Sequence, residues 1–201
     1  MYHYYMFHKP FGCVTARRDA RYPVVMDYFQ QLENPELSPV GRLDRETEGL
    51  IFITDDGKWN RLMTLPESGK EKCYEFIVMG ALTPEKVSQL EQGVYLNGSE
   101  ERTAPAKVTI TGFSTLGEVL PSLHPEIQAK SKHNPMDRPM TFGTITITQG
   151  RYRQIRRMMK VVRCLVLQLR RISVDGMVLP EDLEPGEWRE FIPKQEKSVA
   201  D

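Results

Sequence analysis

Gly41–Gly57 reads GRLDRETEGLIFITDDG. A charged loop opened by Gly41 places Asp44 between Arg42 and Arg45, then runs directly into the apolar, β-type stretch Leu50–Thr54. Asp55 and Asp56 ahead of Gly57 predict a turn and a helix cap, with a helix over Lys58–Leu65 behind them. A carboxylate at the end of such a loop is held by the rigid strand that follows it. Taken alone, an Asp between two arginines is either a surface ion pair, the commoner case, or a reactive group.

Outward from this unit, β-type runs recur at Tyr4–His8, Tyr74–Met79, Lys107–Ile110, Thr144–Thr148, Leu165–Leu169 and Glu190–Ile192. Helical patterns lie between them. Over Thr83–Gln92, Thr83 serves as N-cap, Pro84 suits the first helical position and Gly93 marks the stop. Val24–Leu32 is a further helix candidate. There is neither a regular βαβ alternation nor a glycine fingerprint for a dinucleotide, so the pattern predicts an α+β fold, a mixed, largely antiparallel sheet flanked by helices. Residues 112–142, rich in Pro, Ser and His, read as a long loop that either contacts a partner or is mobile. The expectation is one domain over residues 1–193 and a frayed tail over 194–201.

Composition excludes several classes. Hydrophobic residues make up 40% and charged residues 27%, and no apolar run approaches the roughly 18 residues of a membrane helix, so no membrane partner is expected. The first residues, MYHYYMFHKP, lack the basic and apolar regions of a secretion signal, which predicts a cytoplasmic protein. Cys13, Cys73 and Cys164 are far apart and form no CxxC pair, arguing against disulfides and zinc. His3, His8, His124 and His133 show no ligand spacing, and no bound metal is predicted. No heptad is present, so a monomer is the default.

The formal net charge is zero, yet it is unevenly placed: Arg151–Arg171 holds 8 cations and no acid, which leaves −8 on the rest. Over Arg151–Arg163 a helix would line up Arg153, Arg156, Arg157 and Lys160 on one side and Ile155, Met158, Met159 and Val162 on another. The apolar side predicts core. The cationic side is either a solvated face or a row of phosphate contacts.

Several ordered motifs resemble one family. GRLD with Asp44, Lys9-Pro10-Phe11-Gly12, Lys72-Cys73-Tyr74, the segment Gly150–Met158 (GRYRQIRRM), Leu169-Arg170-Arg171 and Gly186-Glu187-Trp188-Arg189 are together similar to the bacterial ribosomal RNA pseudouridine synthases typified by the small-subunit enzyme. The likeness spans about Lys9 to Phe191. It departs from the family where Asp175 stands in place of a usual glycine, with Gly176 next, and where residues 112–142 run long. It also corresponds to a short form without the S4-type RNA-binding domain of many relatives.

The resemblance implies a pseudouridine synthase fold and isomerisation of a specific uridine in ribosomal RNA, free or in partly assembled subunits, with no cofactor. It tilts slightly toward the large-subunit RNA. Asp44 would be the essential carboxylate, acting as nucleophile or base; Tyr74 would pack against the target base; Arg156 would pair with Asp44. Lys9, Arg42, Arg45, Arg153, Arg157 and Lys160 are the expected RNA contacts. Two other functions compete: a non-catalytic RNA-binding assembly factor on the same fold, and a glycosidase that would need a second carboxylate such as Glu46 or Glu48.

Overall fold

The computed structural model describes residues 1–193; the tail expected over 194–201 lies outside them. Among the described residues, nine strands form one sheet: β1 (Tyr4–Lys9), β2 (Ser38–Val40), β3 (Glu48–Thr54), β4 (Lys72–Met79), β5 (Lys107–Thr115), β6 (Pro139–Ile147), β7 (Leu165–Val174), β8 (Met177–Val178) and β9 (Trp188–Glu190). The main path runs β5-β6-β4-β7-β3-β1-β9, with β2 added to β3 and β8 to β7. Every pairing is antiparallel except β3 with β7, which aligns Glu48 with Arg170 and Gly49 with Arg171. The expected mixed, largely antiparallel sheet is present, and the helices α1 (Gly57–Thr64), α2 (Pro84–Glu91), α3 (Leu116–Val119), α4 (Pro125–Ser131) and α5 (Gln154–Val161) flank it.

The apolar run of β3 is continuous because both of its faces are covered. Ile51 and Ile53 join Phe7, Phe29 and Leu43 on one side. Leu50 and Phe52 join Met63, Leu179 and Leu183 on the other. At its start β3 meets β7 so closely that a Cβ on Gly49 (φ +103°) would lie 2.2 Å from the Arg171 carbonyl oxygen, and only glycine fits. Asp56 caps α1 by accepting from the amides of Lys58 (3.0 Å) and Trp59 (3.1 Å), as the paired aspartates predict. Asp175 and Gly176, both at positive φ, close the two-residue hairpin between β7 and β8, so Asp175 adopts a left-handed geometry that Asp tolerates.

Three expectations are corrected. Residues 112–142 are not a loop: β5 extends to Thr115, α3 and α4 follow, and β6 begins at Pro139. Leu116, Val119, Leu123 and Ile127 are buried there with Met79, Met140 and Leu167, and that burial holds helices too short to stand alone. The helix expected over Arg151–Arg163 covers only Gln154–Val161, because Arg153 is left-handed (φ 48°) and the Gln154 side chain accepts from the Arg151 amide at 3.0 Å. Val25–Leu32 is a 3₁₀ helix instead of an α-helix.

Candidate active site

Asp44 opens a β-turn immediately before β3, in which the Thr47 amide donates to the Asp44 carbonyl at 3.0 Å. The turn is fastened from several directions. The Thr15 hydroxyl bonds both the carbonyl (2.9 Å) and the amide (3.1 Å) of Leu43 just ahead of it. The Gly12 amide donates to the Arg45 carbonyl at 2.9 Å. Lys9, 0% exposed, sends its ammonium to the carbonyls of Pro10 (3.0 Å), Arg45 (3.3 Å) and Thr47 (2.8 Å). Burial lowers its pKa to about 8.

From α5, Arg156 spans the gap between strand β7 and the turn, donating through Nη1 to the Val166 carbonyl (3.1 Å) and through Nη2 to the Glu46 carbonyl (2.9 Å). Its Nε–H is buried without a partner among the described residues. Burial lowers the Arg156 pKa, against the opposing pull of Glu46 and Asp44. The side chain of Glu46 is caged by Arg153 (3.0 Å) and Lys130 (3.2 Å). Burial would raise its carboxyl, but the Lys130 hydrogen bond and the charges of Arg156, Lys130 and Arg153 outweigh that and hold it below the usual range. Among the described residues, the carboxylate of Asp44 has no hydrogen bond or ion pair.

Asp44 faces an open cleft of about 610 Å³, which Arg42, Tyr74, Tyr152, Arg153 and Arg156 also line. Tyr74 stands on β4, between Ile145 of β6 and Arg171 of β7, so a three-strand platform fixes its ring. The arrangement joins an unpaired carboxylate, an aromatic floor and several cations in one cleft, suited to a flat, neutral ring carried on a polyanion. Among the described residues, no group of three or more His, Cys, Asp or Glu comes together to hold a metal, and no helix is long and apolar enough to cross a membrane.

A sequence profile of the family described as RNA pseudouridylate synthase matches residues 3–160. The chain belongs to this family. A Haemophilus influenzae protein named ribosomal small subunit pseudouridine synthase A is 31% identical over 186 residues, 92% of this chain and 68% of that one. The Escherichia coli protein of the same name is 31% identical over 98% of this chain and 74% of its own length. A Bacillus subtilis protein described as an uncharacterised RNA pseudouridine synthase is 33% identical, over 94% of this chain and 69% of its own. A crystal structure titled as a pseudouridylate synthase superposes with a TM-score of 0.78 at 30% identity, covering 96% of this chain and 71% of the other. The chain is an RNA pseudouridine synthase by family, with that family's fold.

Within this pseudouridine synthase, the residues singled out from sequence separate. Asp44, Tyr74, Arg156, Arg42, Arg45 and Arg153 meet at the cleft. Arg157 instead donates to the Asn97 carbonyl (2.6 Å), and Lys160 is exposed on α5; neither lines the cleft. The expected row of cations is thus broken, because Arg156 turns inward between its neighbours. The Asp44–Arg156 ion pair is not formed; the guanidinium is spent on two backbone carbonyls. Lys9 does not line a surface for RNA, since its ammonium is enclosed. Arg45 forms a two-armed pair with Glu126 (2.7 and 3.0 Å). Sequence reading passed over this partner, and also the exposed loop holding Arg17, Arg18 and Arg21, which ends in Tyr22 with its ring 4.6 Å from the Arg45 guanidinium. Three arginines and a tyrosine within ARRDARY were its visible signal.

Proposed function

We propose that this enzyme converts a uridine of ribosomal RNA to pseudouridine, with Asp44 as its essential carboxylate. The observation that carries the reading is the state of the turn: its carbonyls and the side chains of Arg45 and Glu46 are engaged within the protein, whereas the Asp44 carboxylate lines the cleft without a hydrogen bond or ion pair among the described residues.

In the reaction the N1–C1′ bond breaks, the retained uracil turns, and C5 bonds to C1′; C5 gives up its proton and N1 gains one. An ionised carboxylate serves at the ribose, by attack at C1′ or by taking a proton beside it. Reaching C1′ requires the nucleotide to leave its helix, at a cost of about a few kcal/mol. Stacking on Tyr74 and phosphate contacts to Arg42 and Arg153 offset that cost. Arg156 lines the same cleft as Asp44, and the two charges act on each other there.

Ribosomal RNA as the substrate is supported by the names of the relatives in Haemophilus influenzae and Escherichia coli, both small-subunit enzymes. The slight tilt toward large-subunit RNA has no counterpart in those names, so both RNAs enter the test. A glycosidase would need a second free carboxylate, and Glu46 is caged. The test is release of tritium from uracil C5 in ribosomal RNA fragments, with Asp44→Asn as control; an assembly factor on this fold would retain its biological function in that variant.

A further inference from the structure

Residues 116–131 are built onto the sheet and reach the catalytic turn. The Glu118 carboxylate accepts from the Thr115 amide (3.2 Å) and starts α3, while Leu116, Val119, Leu123 and Ile127 bury themselves over β4, β6 and β7. His124 caps α4 by accepting from the Glu126 amide (3.2 Å). From this anchored base three side chains extend to the loops on either side of Asp44. The His124 ring stacks on Phe11, centroids 3.9 Å apart and 24° from parallel. Glu126 grips Arg45 through both oxygens, at 2.7 and 3.0 Å. Lys130, one helical turn on and so on the same face of α4, meets Glu46 at 3.2 Å.

Each contact alone is a weak, partly exposed tie. Their value lies in geometry. Arg45 and Glu46 are the two central residues of the turn that begins at Asp44, and both are held from one rigid segment. The Arg45 guanidinium also lies over the rings of Phe11 (5.7 Å) and Tyr22 (4.6 Å), so aromatic faces and a carboxylate enclose it together. A fork-to-fork pair fixes direction as well as distance.

We propose that Leu116–Ser131 is a clasp on the catalytic turn and that Glu126 is its positioning residue, holding Arg45 so that Asp44 points into the cleft. The idea rests on Asp44 being the reactive carboxylate. It gives Glu126 a role in the rate of reaction and none in RNA affinity. The opposite role is an anionic placeholder that leaves Arg45 when a phosphate arrives.

The experiment compares the full-length protein with Glu126→Gln and Glu126→Asp, using thermal melting to verify folding. Hydrogen exchange is read at the amides of Gly12 and Thr47, which donate to the carbonyls of Arg45 and Asp44. Single-turnover tritium release and the RNA dissociation constant are measured alongside. The clasp predicts at least threefold faster exchange at both amides in Glu126→Gln, a release rate lowered about fivefold, RNA affinity within twofold of wild type, and partial rescue by Glu126→Asp. Unchanged exchange overturns it, as does tighter RNA binding at an unchanged rate, the signature of a placeholder. A wild-type protein that releases no tritium overturns the isomerase reading, and the exchange data then decide the clasp alone.

Discussion

The ammonium of Lys9 donates to the carbonyl oxygen of Thr47 at 2.8 Å, with both residues enclosed, 0% and 2% exposed. The end of β1 is thereby tied to the far end of the turn that Asp44 opens. Burial holds the Lys9 pKa at about 8, below the ordinary lysine value of about 10.4. Between those values the unfolded chain binds more protons than the folded one, so the contribution of Lys9 to stability rises with pH across that window. The full span corresponds to roughly 3 kcal/mol. Urea unfolding at pH 8 and pH 10 should show wild type gaining stability relative to Lys9→Met; equal changes in the two proteins would contradict the assignment.

Arg156 reaches two carbonyls with two arms of one planar group, joining Val166 to Glu46. A lysine carries its three donors on a single nitrogen, so it cannot reproduce two donors held apart in one plane and aimed at carbonyls of different segments. Arg156→Lys should therefore lower kcat by about 10- to 100-fold, a loss of roughly 1.4 to 2.8 kcal/mol in the barrier, with KM changed little. A rise in KM at constant kcat would instead make Arg156 a simple phosphate contact.

Gly49 combines a left-handed backbone with a Cβ position 2.2 Å from the Arg171 carbonyl oxygen. Gly49→Ala must push β3 and β7 apart at their parallel junction. A destabilisation of more than about 2 kcal/mol is expected, read as a lowered denaturant midpoint at unchanged slope.

Arg42 is exposed at the cleft, whereas Lys9 is enclosed beneath it. Arg42→Gln should weaken RNA binding and reduce the slope of log K against log salt by about 0.7, the loss of one phosphate contact to a single strand. Lys9→Met should leave that slope unchanged. Equal slopes for wild type and Arg42→Gln would remove Arg42 from the RNA interface.

Much of the fold was legible because burial on both faces writes itself as unbroken apolar runs, as in Leu50–Thr54. The Asp56 cap and the Pro84 start of α2 were equally plain, since each depends on neighbours in the chain. What escaped depends on distant partners. Ser38–Val40 is too short to show a period and exists as a strand because β3 offers it an edge. Leu116, Val119, Leu123 and Ile127 carry a helical spacing, but Pro121 and Pro125 interrupt it, and only the sheet beneath stabilises the pieces. At the site, the motifs shared with a known family implied that Asp44, Tyr74 and Arg156 meet, which residue types alone did not. The motifs did not reveal that Lys9 and Arg156 serve backbone carbonyls, because carbonyls leave no trace in a sequence.

The central claim is that Asp44 drives uridine isomerisation, and release of tritium from uracil C5 tests it most directly, because joining C5 to C1′ must expel that hydrogen. Small- and large-subunit ribosomal RNA fragments, naked and partly assembled, would be incubated with wild type and Asp44→Asn. The account predicts release by wild type from one of them, no free uracil, and loss of release by at least about 10³-fold in the variant, even with RNA affinity retained. Release that survives in Asp44→Asn, or none from any RNA with wild type, would contradict it.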